Sequence, residues 1–165
     1  MMKVSNMNNV RSENIAALCD IDERYLAAAK GRFAKAATFN DWRKLCERKD
    51  IDAVVISTAD HCHAAASVMA MNAGKHVYCE KPMTHSVEEA LAVMKAWQDS
   101  GQVMQVGVQS TSLPVWRKVN ESIRAGDLGK VLQYQTEFFR NSDVGQWRYY
   151  KLSEDMTPKN IDWNT

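Results

Sequence analysis

Residues 54–94 read VVISTADHCHAAASVMAMNAGKHVYCEKPMTHSVEEALAVM, and this stretch decides the fold. A short β-branched run, Ala53–Ser57, has the unbroken apolar character of a strand buried on both faces. His61–Asn72 has the length and composition of a helix, and Gly74 ends it. His76–Cys79 is a second apolar run of strand length. Ser86 and Glu89 form a capping box for a further helix that reaches Ser100, with Gly101 beyond its end. Strand, helix, strand, helix is the order of a parallel sheet covered by helices. Ligands of such sheets bind outside the carboxyl ends of the strands. Ser57, Thr58 and the tripeptide Glu80-Lys81-Pro82 fall at those ends.

The same alternation extends in both directions. Asn14–Asp20 (NIAALCD) reads as a strand, and Asp22 caps a helix through Lys30 that Gly31 closes. Ala37–Phe39 is a short strand, and Asp41 starts the helix DWRKLCERK. Downstream, Val103–Val108 is another strand. Pro114 opens a helix carrying Val115, Trp116, Val119 and Ile123 on one side, and Gly126 stops it. Val131–Phe139 is the last clear strand. It is longer and more amphipathic than those before it, so a domain boundary is placed at Gln109/Ser110. Residues 1–109 then form one α/β domain and residues 110–165 the beginning of a second.

Composition bounds the function classes. The 21 basic and 20 acidic residues nearly cancel, and no basic stripe marks a nucleic-acid surface. No apolar run approaches the roughly 20 residues that span a bilayer. The start, MMKVSNMNNV, has no apolar signal-peptide core, which implies a cytoplasmic protein. Cys19, Cys46, Cys62 and Cys79 lack CxxC spacing and read as reduced structural thiols. A metal site built on His61, Cys62, His63 and Cys79 is disfavoured because no zinc-type ligand spacing supports it.

The string from Ala53 to Ala90 resembles the glucose–fructose oxidoreductase, inositol dehydrogenase and MocA (Gfo/Idh/MocA) family. VVIST, the downstream His63, GKHVYCEKP and SVEEA carry the likeness. ALCDIDE at 17–23, VMQVGVQS at 103–110 and IRAGDLGKV at 123–131 extend it over nearly the whole chain. The resemblance implies a Rossmann domain followed by an α/β domain that carries substrate contacts and mediates homo-oligomer formation. It implies hydride transfer between NAD(P) and a hydroxyl or carbonyl of a sugar, polyol or similar small molecule.

Carried over residue by residue, the likeness puts Asp20 on the adenosine ribose. A carboxylate there accepts from both ribose hydroxyls and repels a 2′-phosphate, which favours NAD over NADP. The competing reading of Asp20 is a solvated loop acid or helix cap. Ser57 and Thr58 leave their strand toward the cofactor, and Ala59 stands where the family commonly has proline. His63 matches a cofactor-proximal histidine, against the plainer reading of a helix cap or surface residue. Glu80, Lys81 and Pro82 match the family's signature. There the Lys81 ammonium hydrogen-bonds the substrate oxygen and stabilises the charge that grows during hydride transfer. Gln109 contacts the nicotinamide end, and Arg140, Trp147 and Arg148 lie where a second domain reaches substrate.

One element of the family pattern is missing. The first glycine of the chain is Gly31, so no GxGxxG turn precedes the Asp20 strand. Residues 1–13 read instead as the helix that follows such a turn. The expected fold is therefore an incomplete Rossmann-type parallel sheet without its first strand. Ala53–Ser57 would keep an uncovered edge. Losing two or three charge-assisted hydrogen bonds costs on the order of 3–6 kcal/mol, which moves micromolar cofactor affinity to about millimolar. No residue after Arg148 matches the family's second-domain Asp and His. The chain is thus expected to be an internal fragment, inactive in isolation. The alternative is a catalytically dead nucleotide-binding or interaction module that pairs with a complete paralogue.

Overall fold

The computed structural model describes residues 2–137, 154 and 157–161. The chain forms two compact units, Met1–Gly107 with Asp155–Thr165, and Val108–Glu154. Residues 155–165 thus go with the first unit, whereas the sequence assigns 110–165 to one domain.

In the first unit, helix α1 (Met2–Asn9) precedes strand β1 (Ala17–Cys19), helix α2 (Glu23–Arg32) and strand β2 (Ala37–Phe39). Helix α3 (Trp42–Cys46) leads to strand β3 (Ala53–Ile56), and a 3-10 turn, Asp60–Cys62, opens onto helix α4 (His63–Asn72). Strand β4 (His76–Glu80), helix α5 (Val87–Ser100) and strand β5 (Met104–Gly107) complete it. All strand pairs are parallel, as the alternation of strands and helices requires. They form two sheets, β1–β2 and β3–β4–β5. Among the described residues β1 and β3 each pair on one side only.

The larger core packs α4 and α5 on the three-stranded sheet, with Ile56, Ala66, Ala70, Met71, Val77, Cys79, Val93 and Ala96 buried. The alanines let α4 approach both its strand and α5 closely. A smaller core holds Leu18, Leu26 and Ala36, with Met7 of α1 packed against it. The segment near the chain end meets this part of the unit through an antiparallel bridge between Asp22 and Ile161.

Caps read from the sequence are present. The Asp22 and Asp41 side chains accept from the backbone N–H groups of Arg24 and Arg43. Ser86 Oγ accepts from Glu89 N–H, although Glu89 Oε2 returns to the N–H of His85 rather than of Ser86. Gly101 takes the left-handed cap position, φ 65°.

Other expectations need correction. Gly31 does not close α2; it stays helical, and Phe33 is the cap through its N–H to Ala29. Helix α3 is one short turn instead of nine residues. The Lys75 ammonium, buried at the amino ends of the strands, instead donates to the carbonyls of Arg48 and Ile51 in the loop that follows α3. Strand β3 is not buried on both faces: Ala53 and Val55 are exposed while Val54 is half-buried and Ile56 buried. An apolar run shows that a strand is strong, but coverage depends on what the chain lays over it, and here helices cover one face. Strand β5 stops at Gly107, two residues before Gln109.

In the second unit, a 3-10 turn, Gln109–Ser112, leads into helix α6 (Pro114–Ala125), which Gly126 ends at φ 82°. The expected strand Val131–Phe139 does not form over residues 131–137, because an extended run becomes a strand only beside a paired neighbour. Phe138, Phe139, Arg140, Trp147 and Arg148 lie outside the described residues. No helix among the described residues is long and apolar enough to cross a membrane.

Candidate active site

The polar residues singled out in the sequence stand at the carboxyl ends of their strands, Asp20 at β1 in one sheet, and Ser57, Thr58 and Glu80–Pro82 at β3 and β4 in the other. At the end of β1, Asp20 is half-buried, and its carboxylate accepts from Asp22 N–H at 3.0 Å. Asp22 is the helix cap. Its side chain takes both the backbone N–H and the guanidinium of Arg24, which hold it below the usual carboxylate range. The cap role falls to Asp22, as expected.

At the end of β3, Ser57 is half-buried and Thr58 exposed. His63 opens α4 immediately below them. It is 2 % exposed, which overturns the surface-residue reading. Its Nδ1 lies 2.6 Å from the Pro82 carbonyl and its Nε2 3.3 Å from the Thr58 carbonyl. A neutral imidazole donates from one nitrogen, and the shorter contact assigns that proton to Nδ1. His63, on the helix that follows β3, thus holds the turn after β4 from beneath. On the outer surface, Asp60 and His85 pair at 3.0 Å across the turns after β3 and β4. That contact lowers the Asp60 pKa.

At the end of β4, Glu80 is half-buried, Lys81 and Pro82 are exposed, and the Lys81–Pro82 bond is cis. The Glu80 carboxylate is surrounded by donors. Asn6 Nδ2 donates to its Oε1 at 2.8 Å, and the Tyr78 hydroxyl lies 3.4 Å from the same oxygen. The Lys81 N–H reaches Oε2 at 3.3 Å. Asn6 Nδ2 also donates to Ser57 Oγ at 2.9 Å. Burial and the neighbouring Glu80 push the Tyr78 phenol up. Gly107, opposite Glu80 in the sheet register, makes room for this group; a Cβ there would stand 2.4 Å from Tyr78 Oη.

Asn6, Tyr78 and Gly107 were not visible as site residues in the sequence. Asn6 is 51 and 74 residues from its partners, so no local pattern announces it. Tyr78 does have a signal in retrospect, since it stands two residues before Glu80 on the same face of β4. Gln109 belongs to the second unit, in the turn before α6.

Burial raises the thiol pKa of Cys19 to about 12, with the Asp20 charge adding to it, and also raises Cys46 and Cys79. Buried thiols of this kind are poor nucleophiles. No three metal-ligating side chains converge among the described residues. A cavity of about 450 Å³ lies at the opposite, amino end of the sheet, beside Lys75 and His76, away from these polar tips.

Carboxylates, hydroxyls and an ammonium at carboxyl strand ends stand where ligands of open parallel sheets bind. Residues 2–108 match the model of an oxidoreductase family with an NAD-binding Rossmann fold. The chain belongs to the Gfo/Idh/MocA family. It is 29% identical over 143 residues to an inositol 2-dehydrogenase of Salmonella typhimurium, covering 86% of this chain and 43% of that protein. Among solved structures, a myo-inositol 2-dehydrogenase from Lactobacillus plantarum matches at 27% identity and TM-score 0.62, over 71% of this chain and 35% of the other. A levoglucosan dehydrogenase complexed with NADH and levoglucosan matches at 30% identity and TM-score 0.63, over 72% and 32%. The chain spans less than half the length of these family relatives.

Proposed function

We propose that this Gfo/Idh/MocA chain supplies the nicotinamide side of a dehydrogenase that acts on a hydroxyl-bearing carbon of a sugar or polyol. The observation that carries the reading is the exposed Lys81 at the tip of β4, beside a Glu80 held by Asn6 and next to the Ser57 tip of the paired strand β3. When bound, the nicotinamide gives or accepts the hydride. Asp20 receives the hydroxyls of the adenosine ribose, and a 2′-phosphate there meets a like charge. Ser57 and Thr58 offer hydroxyls along the crevice. Lys81 donates to the substrate oxygen and stabilises the negative charge that develops on it. His63 acts from below by donating from Nδ1 to the Pro82 carbonyl.

Titration with NADH, followed by fluorescence, tests this. Saturable binding is expected, with weaker binding of NADPH and about a tenfold loss for Asp20→Ala. Equal affinity for both nucleotides in the Asp20→Ala and unaltered chains would remove Asp20 from the site. Absence of any saturation would remove the cofactor reading itself.

A further inference from the structure

We propose that Asn6 is a positioning residue whose side-chain amide clamps Glu80 against Ser57 and so keeps Lys81 available at the crevice. The inference deepens the reading above and rests on Lys81 being the working group of the site.

One nitrogen makes the clamp. Both protons of Asn6 Nδ2 are used, one on Ser57 Oγ at 2.9 Å and one on Glu80 Oε1 at 2.8 Å. The amide therefore joins α1 to the tips of two adjacent strands and fixes their spacing. A hydrogen bond to a charged acceptor is stronger than one between neutral groups, enough to choose one carboxylate rotamer over another. With Oε1 held by Asn6 and Tyr78, Oε2 is left facing the Lys81 backbone N–H. The carboxylate is thereby kept off the ammonium of the next residue. Released, it is free to swing toward that ammonium and neutralise the one exposed cation of this tripeptide. Gly107 closes the group from the side, where a Cβ would stand 3.2 Å from Glu80 Oε1.

The opposite role, in which Asn6 blocks the crevice, fits less well. Asn6 occupies only an acceptor position on Ser57, whose own proton remains to be donated, while Thr58 and Lys81 stay exposed.

The test is amide hydrogen exchange by NMR on the 165-residue chain without cofactor. In the unaltered protein, the Asn6 side-chain amide protons should exchange at least tenfold more slowly than those of exposed Asn9 on the same helix. Asn6→Ala and Asn6→Asp should each speed exchange at the Lys81 backbone amide about fivefold, with Leu18 in β1 unchanged. The double variant Asn6→Asp with Glu80→Gln exchanges donor for acceptor and should return Lys81 to within about twofold of its original rate. Fast exchange of the Asn6 side chain, an unmoved Lys81 rate, or failure of the swapped pair to restore it would each overturn the clamp. Should the single variants fail to fold, the side-chain measurement on the unaltered chain still decides. NADH titration of the unaltered chain judges only the cofactor reading. No saturation there would sink that reading and leave the exchange rates to decide the clamp.

Discussion

At residue scale the candidate site depends on what stands beside Lys81. The tripeptide Glu80-Lys81-Pro82 and His63 were legible because each sits in a local pattern, at a strand tip or a helix start. Their partners were not, since the link from Asn6 to Glu80 is created only when α1 folds onto the strand tips. Gly107 shows the same limit: nothing in VMQVGV says that its missing side chain is room for a phenol. Gly107→Ala should cost about 1–3 kcal/mol, because the added carbon would fall 2.9 Å from Tyr78 Cζ as well as on Oη. Urea unfolding measures this, and an unchanged midpoint would mean the tyrosine moves aside freely. A second residue-scale prediction concerns the thiols. With Cys19 raised to about 12 and Cys46 and Cys79 also raised by burial, none of the three should be alkylated in the native protein at pH 8. Mass spectrometry after iodoacetamide, with and without denaturant, reads the result. Rapid native labelling of Cys19 would contradict its raised pKa.

Among elements, helix caps were read well apart from Gly31, and strand surroundings badly. A cap is a contact within three residues, so Asp22, Asp41, Ser86, Gly101 and Gly126 declared themselves. Whether Val55 is covered, or whether residues 131–137 find a neighbour, depends on distant chain and left no local mark. The Asp22 cap gives a test of α2. Asp22→Ala should cost about 1–2 kcal/mol, more than an ordinary cap removal in a peptide, because Asp22 is buried and also holds the Arg24 guanidinium. Its pKa is lowered in the folded state, so its stabilising contribution is present above the unfolded value near 3.8 and is lost as pH falls through the folded value. Unfolding midpoints at pH 5 and pH 3 should therefore converge between Asp22→Ala and the unaltered chain at the lower pH. A gap that stays constant with pH would assign the cap to hydrogen bonding without the charge.

Among the described residues the parallel strands form two sheets, in keeping with an incomplete Rossmann-type sheet that lacks its first strand, and α1 joins them. Met7 packs with the smaller core, and Asn6 reaches the tips of β3 and β4. This arrangement leaves β3 paired only with β4 among the described residues, and its Val55 side chain 42% exposed. An unpaired strand edge with an apolar side chain is a template for another chain. The expressed protein should accordingly associate as its concentration rises, visible as a growing weight-average mass in sedimentation. Val55→Lys puts a charge on that exposed position without touching the buried face that holds Ile56, and should shift association to at least tenfold higher concentration. The folded state itself should change by less than about 0.5 kcal/mol, as expected for an exposed substitution. If Val55→Lys associates as strongly as the unaltered chain, the sticky surface lies elsewhere, and the exposed apolar stripe Val87, Leu91, Met94 and Trp97 on α5 becomes the place to substitute next.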